Sequence, residues 1–278
     1  MAYKRVLTVQ DISCFGQCSL TVALPILSAC GSEAVILPSA VLSTYTSNFK
    51  NYTFRDLTED IPSIEKHWIS EGIKFDAIYT GYLGNKKQID YVESLIKNTL
   101  KDEALVIIDP VVGDNGHLYP GFNDEYVAKV KQLSTNADYL IPNITEASFL
   151  TGMPYKKEYD ESYILELFNK MSEFCKGTIV LTGVSYDKET TGIAIYKDGQ
   201  IQYYKHRLID RNCHGTGDIF ASSFTGALMQ GKTPFEACKI AADFILASIE
   251  NTIGDEEHWY GVRFELELPK LIKDVRGI

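Results

Sequence analysis

No apolar run in the sequence approaches the roughly 18 residues that a membrane span requires. No membrane association is expected. The opening MAYKRVLTVQ passes straight into a strand-like stretch without the apolar core of a secretory signal, which predicts a cytoplasmic protein. No run of Lys and Arg offsets the formal charge of -10, and a nucleic-acid binder needs a basic face, so no nucleic-acid partner is expected. Cysteine is sparse: six residues, of which only Cys14 and Cys18 lie close together, with no second pair or nearby His to complete a zinc site. Neither zinc nor a disulfide is expected. Internal repeats, low-complexity linkers and composition breaks are also missing. The 278 residues, 45% of them hydrophobic, are therefore expected to form one domain over residues 1–278.

What is present is an alternation. Strand-like runs at 6–10, 34–37, 76–80, 104–109, 139–141 and 178–182 are apolar on both faces, as buried parallel strands must be. Between them, helical spacing links Ile89, Val92, Ile96 and Leu100, and again Ile164, Leu167, Phe168 and Met171. The pattern predicts an α/β fold, a mostly parallel Rossmann-like sheet with helices on both faces. Residues 192–206 break the rhythm and predict a hairpin around Asp198-Gly199 at the sheet edge. Helices are then expected over 216–230, 235–251 and 263–274.

The most informative string is Cys213-His214-Gly215-Thr216-Gly217-Asp218, which opens an amphipathic helix carrying Phe220, Phe224, Ala227 and Leu228. Glycines there let backbone N–H groups converge, and the positive end of the helix dipole suits an anion. A carboxylate beside such a site is repulsive unless it has chemistry to do, such as taking a proton from an attacking hydroxyl. The plainer explanation of Asp218 is a stabilising acid in a first helical turn.

A second string, Gly226 to Thr233, satisfies the spacing of a phosphate-binding P-loop with Lys232 as its lysine. Its context excludes it. Gly226 falls inside the helix, Gly231 suits the helix end, and Thr233-Pro234 reads as the start of the next helix. Three more strings fall at expected carboxyl ends of strands, where ligands gather in open α/β sheets. They are Asp109-Pro-Val-Val-Gly-Asp114, Pro142-Asn143-Ile-Thr-Glu146 and Thr182-Gly183. The first two hold oxygens suited to hydrated Mg2+. Equally, Asp109-Pro110 reads as a turn, and Asn143 with Glu146 as a helix cap and its capping-box partner.

Taken in order, these strings resemble the ribokinase superfamily and, within it, the pyridoxal kinase branch. VLTVQ at 6–10, LSTYT at 42–46, YTGYL at 79–83, DPVVGDNGHLYPG at 109–121, PNITE at 142–146 and GTGD at 215–218 carry the resemblance along nearly the whole chain. It implies a ribokinase-like fold, ATP as phosphoryl donor, Mg2+, a stimulating monovalent cation such as K+, and a homodimer. It implies Asp218 as the base, Gly215, Thr216 and Gly217 as the anion hole, and Asp114, Asn143, Glu146, Thr182 and Thr216 around ATP. Asp109 and Glu146 would serve the metal, while Asp11, Thr46, Tyr82 and Asp218 would meet the acceptor.

Two positions depart from the branch. Gln10-Asp11 stands where many pyridoxal kinases read Gln-Ser, and an acid there is shared with hydroxymethylpyrimidine kinases. The string after it, CFGQC, lacks the small-residue glycine run of those enzymes. Ile141 replaces a Thr found in some relatives beside the nucleotide. The expected activity is ATP-dependent phosphorylation of a B6 vitamer, with hydroxymethylpyrimidine as the alternative acceptor. Rivals of other classes are a P-loop NTPase and a ligand-binding protein without turnover. Asp11 has its own plain alternative, a cap for the helix that follows.

Overall fold

The computed structural model describes residues 3–209 and 213–277. Its strands are β1 (Arg5–Phe15), β2 (Glu33–Thr44), β3 (Phe54–Asp56), β4 (Phe75–Thr80), β5 (Leu100–Ile108), β6 (Gly113–Asp114), β7 (His117–Leu118), β8 (Tyr139–Leu140), β9 (Thr178–Val184), β10 (Thr190–Lys197) and β11 (Gln200–Arg207). Its helices are α1 (Leu20–Ala29), α2 (Ile61–Ser70), α3 (Lys86–Thr99), α4 (Asp124–Ser134), α5 (Ile144–Thr151), α6 (Glu161–Phe174), α7 (Thr216–Met229), α8 (Pro234–Glu250) and α9 (Leu268–Arg276).

Among the described residues, nine strands make one sheet in the order β11-β10-β9-β8-β5-β4-β1-β2-β3. The six from β9 to β2 are mutually parallel, and the antiparallel additions are the β10-β11 hairpin at one edge and β3 at the other. Alternation along each strand feeds two cores. Leu7 and Val9 of β1 face the core built with α2 to α6, whereas Val6 faces the one built with α1, α7, α8 and α9. Each such fully buried side chain stabilises the fold by about 1.5–3 kcal/mol.

The chain leaves β1 toward β2 and returns on the other side of β1 to form β4. That reversal is a topological switch point, and the carboxyl ends of β1, β4, β5, β8 and β9 surround the crevice it opens.

Several boundaries differ from the sequence reading. β1 continues past Gln10 to Phe15, and its register against β2 shifts between Gln10 and Ile12, so Asp11 lies at a bulge inside a strand. It is not a helix cap. β2 likewise runs through Pro38, which its edge partner tolerates because β3 pairs only with Ala40 to Leu42. The last expected helix divides into a 3-10 turn at Phe264–Glu267 and α9, where Pro269 in the first turn starts a fresh helix. The hairpin forms as expected, with Asp198 and Gly199 at φ 49° and 81°, the left-handed pair of a tight two-residue turn. Gly226 is a packing glycine inside α7, since a Cβ there would come within 2.5 Å of the Cys30 sulfur. The Gly226–Thr233 string is therefore helix, helix end and the Thr233 cap of α8, not a phosphate loop.

Candidate active site

A cavity of about 720 Å³ opens at the carboxyl ends of β5, β8 and β9. Its polar end is lined by Asp109, Asp114, Asn143, Glu146 and Thr182 and by the start of α7, residues 215 to 218. Its other end is apolar: Ile193 of β10, Phe220 of α7, and Ala242, Ile245, Leu246 and Ile249 of α8. The α8 wall escaped the sequence reading, because in AADFILASIE those residues look like ordinary core positions.

Gly215 is the N-cap of α7 and sits at φ 78°, a left-handed conformation in which glycine alone is unstrained. Among the described residues no side chain caps α7. Residues 215 to 218 line the cavity, and the start of a helix turned toward an open space is an anion-binding arrangement. Asp218 lies in the same turn. Burial pushes its carboxyl up to about 7, against the pull of a hydrogen bond from the Ser19 amide, and the nearby Asp11 charge pushes in the same direction as burial. Such a group shares its proton near neutral pH, as a general base requires.

On one side of Asp218 lies the Asp109–Glu146 pair. Burial raises Asp109 well above the usual carboxylate range, and the charges of Glu146 and Asp218 raise it further. Glu146 is likewise lifted to about 8 by burial, although it accepts amide hydrogen bonds from Val112 (3.1 Å) and Asn143 (2.9 Å). Asn143 completes the capping box of α5 by accepting from the Glu146 amide, and donates to the Gly113 carbonyl at 3.0 Å. The cap reading and the cavity position are therefore both true of these residues. Val111, between Asp109 and the small β6-β7 hairpin, has φ 41°. For a β-branched residue that conformation costs about 1–3 kcal/mol and marks a place where function outweighs comfort. The hairpin itself was legible in Asn115-Gly116, a two-residue turn signal that the sequence reading passed over. Asp114, at its start, is exposed and binds the Asn115 amide at 2.9 Å.

On the other side lie residues of β1, β2 and the loops after β2 and β4. Asp11 is 5% exposed, accepts from the Ser13 hydroxyl at 2.9 Å, and burial raises its pKa. Tyr82 feels the Asp11 charge and stacks on Phe122 at 5.7 Å. Thr46 is exposed, and neither it, Asp11 nor Tyr82 lines the 720 Å³ cavity, whereas Ser47 and Asn48 do. Asn48 and His214 hydrogen bond at 2.6 Å, joining the loop after β2 to the loop before α7. Thr182 bonds the Pro142 carbonyl through its hydroxyl at 3.3 Å and bridges to Asn143.

The family model of phosphomethylpyrimidine kinase matches residues 27–261. This chain belongs to that kinase family. Among solved structures, it is similar to a Bacteroides thetaiotaomicron protein assigned as a phosphomethylpyrimidine kinase and crystallised with pyridoxal. That similarity is 36% identity and a TM-score of 0.92 over 97% of this chain and 96% of the other. The pyridoxal kinase of Lactobacillus plantarum is 30% identical, with a TM-score of 0.90 over 98% and 97% of the two chains. The pyridoxine kinase of Bacillus subtilis is 27% identical over 259 residues, 91% of this kinase and 92% of the relative. The fold is that of the pyridoxal kinases, and the enzyme is a phosphotransferase with an alcohol acceptor.

Among the described residues no helix is long and apolar enough to cross a membrane. Among them, too, no group of three or more His, Cys, Asp or Glu side chains forms a ready-made metal cage. A carboxylate pair with open space beside it suits Mg2+, which keeps most of its waters and uses few protein ligands.

Proposed function

We propose that this kinase transfers the γ-phosphoryl group of ATP to the hydroxymethyl group of pyridoxal, pyridoxamine or pyridoxine, giving the 5′-phosphate. The observation that carries the reading is Asp218, which lines the cavity with Asp109 from the first turn of α7 and has a carboxyl near neutral pKa. It takes the hydroxyl proton while the alcohol oxygen forms its bond to the γ-phosphorus. The bond from that phosphorus to the bridging oxygen breaks, and ADP leaves with the electron pair. Amides at 215 to 217 receive the charge that develops on the phosphoryl oxygens, so the protein's part is mostly positioning.

The apolar end of the cavity suits a purine base, and Asp114, Asn143, Thr182 and Thr216 then lie along the phosphates. Asp109 and Glu146 would hold Mg2+, directly or through water, and their mutual repulsion is what a cation there would relieve. Bound Mg2+ supplies charge neutralisation for the phosphates. Asp11, Tyr82 and Thr46 are assigned to the acceptor. K+ stimulation, a homodimer and a cytoplasmic location belong to the same proposal.

Pyridoxal is supported by the relatives of 36% and 30% identity, one crystallised with it and the other a pyridoxal kinase. Hydroxymethylpyrimidine is the second acceptor to test, because the buried carboxyl of Asp11 suits a ring that presents donors. A coupled ADP-release assay with each vitamer and hydroxymethylpyrimidine decides: vitamer-dependent turnover is expected. ADP release that no acceptor stimulates would leave only a ligand-binding protein or a stray ATPase.

A further inference from the structure

The sheet is irregular where β9 and β10 meet the cavity. In this antiparallel pair Leu181 is partnered with Ala194 and Val184 with Gly192, so that two residues, Thr182 and Gly183, stand opposite the single residue Ile193. All three line the cavity. Such a bulge breaks the ladder of backbone hydrogen bonds and re-aims the residues that form it, and Gly183 takes a left-handed φ of 71°. Tyrosines supply the bonds that the ladder lacks. The Tyr159 hydroxyl, from the connection between α5 and α6, donates to the Gly183 carbonyl at 3.2 Å and accepts from the Ser185 amide at 2.9 Å, closing the turn on one oxygen atom. The Tyr203 hydroxyl of β11 donates to the Val184 carbonyl at 2.9 Å, and its ring lies so near Gly192 that a Cβ there would come within 2.7 Å of it. Both tyrosines pack with the core of α2 to α6, whereas Ile193 belongs to the core of α7 and α8. The bulge is held from behind.

We propose that Tyr159 and Tyr203 are positioning residues for the nucleotide: their hydroxyls fix the β9-β10 bulge, and through it the place of Thr182 and Gly183 along bound ATP. The inference rests on the reading of this end of the cavity as the ATP side. Neither tyrosine lines the cavity, so both act through the backbone they hold. A phenol oxygen that donates to one backbone group and accepts from another sets the distance between residues 183 and 185. Thr182 is tied on its other side as well, its amide donating to the Pro142 carbonyl at 2.9 Å, which joins the bulge to the start of α5. Asn143, next in the chain, also lines the cavity. Two hydroxyls outside the cavity thus set the spacing of one of its walls.

Phenylalanine keeps each ring and removes only the oxygen. Tyr159→Phe takes a partner from two backbone groups, whereas Tyr203→Phe takes one from Val184, which keeps a longer bond from the Thr191 hydroxyl at 3.4 Å. Tyr159 should therefore matter more. We expect Tyr159→Phe to raise KM for ATP about tenfold and Tyr203→Phe about threefold, with kcat and KM for pyridoxal within about twofold of wild type in both. Calorimetric titration with AMP-PCP, a non-hydrolysable ATP analogue, should show the same weakening with no acceptor present. A merely structural role predicts a lower melting temperature with unchanged AMP-PCP affinity, or KM for ATP and for pyridoxal rising together, and either result would overturn the inference. Should Tyr159→Phe not fold, Tyr203→Phe decides alone: weaker AMP-PCP binding supports the proposal and wild-type binding sinks it. If wild type phosphorylates no vitamer yet binds AMP-PCP, and Tyr159→Phe binds it more weakly, the positioning stands and the functional reading falls.

Discussion

Gly215 and Gln17 meet backbone to backbone: a Cβ on Gly215 would lie 1.8 Å from the Gln17 carbonyl oxygen. Neither side of that contact has a flexible end that could move aside. Gly215→Ala should therefore displace the loop from residue 15 to 19, lower the melting temperature and cut turnover by about 100-fold, through loss of both the amide cradle and the Asp218 setting. Gly217 makes the contrast, because a Cβ there would meet nothing within 4 Å. Gly217→Ala should raise stability by about 0.5–1 kcal/mol, as alanine does in a helix. It should also raise KM for ATP if phosphates approach that turn. Thermal melts and ATP titrations of the pair check both, and an unchanged KM would remove residue 217 from the anion hole.

Asp218→Asn should lower kcat about 100-fold or more, as loss of a general base does. Its effect on stability has a definite sign. The folded carboxyl titrates at about 7 against a reference of 3.8, so between those values the folded state holds a proton that the unfolded state has released. Ionising it opposes folding as pH rises. The asparagine variant should thus melt higher than wild type at pH 8, with the gain fading toward pH 4. Wild-type kcat/KM should in turn climb to a plateau above about pH 7. A variant with full turnover would reduce Asp218 to a first-turn acid.

For Glu146→Gln, the expected signature is a weakened Mg2+ dependence, read as a rightward shift of the Mg2+ titration of kcat. The amide can still accept from Asn143 or Val112 but not from both, so a stability loss of about 1 kcal/mol should accompany it. Lower stability with an unmoved Mg2+ curve would leave Glu146 as the α5 capping residue alone.

Asp11→Ser tests acceptor choice. An ionised carboxylate accepts hydrogen bonds only, so its loss should change kcat/KM ratios among the vitamers by a few-fold to about 100-fold, most for pyridoxamine with its ammonium. Equal ratios in both enzymes would take Asp11 out of the acceptor site.

The alternation of strands and helices, the Asp198-Gly199 hairpin and the helix from Thr216 were all legible, because each is written in local spacing or turn chemistry. The stretch from Gln10 to Ser19 was not. Gln10, Asp11 and Ser13 are polar residues in a buried strand, and what keeps β1 extended past them is pairing with β2. Pro38 hid the length of β2 for a similar reason, since its tolerance depends on how short β3 is. The apolar wall of α8 was invisible because periodicity says that a face is buried, not that a cavity lies against it. Ser19, at φ 52°, was legible least of all, since nothing in the local string calls for a left-handed residue there.

The reversal of the chain at β1 and β4 also divides the labour of the proposed site by inheritance. One wall comes from β1, β2, the loop that follows and the loop after β4, all within the N-terminal part of the chain before Asp109. The other, from Asp109 onward, is shared among β5, β8, β9 and α7. On the proposed assignments, the acceptor side could therefore be altered within a contiguous piece of the gene while the donor machinery stayed untouched.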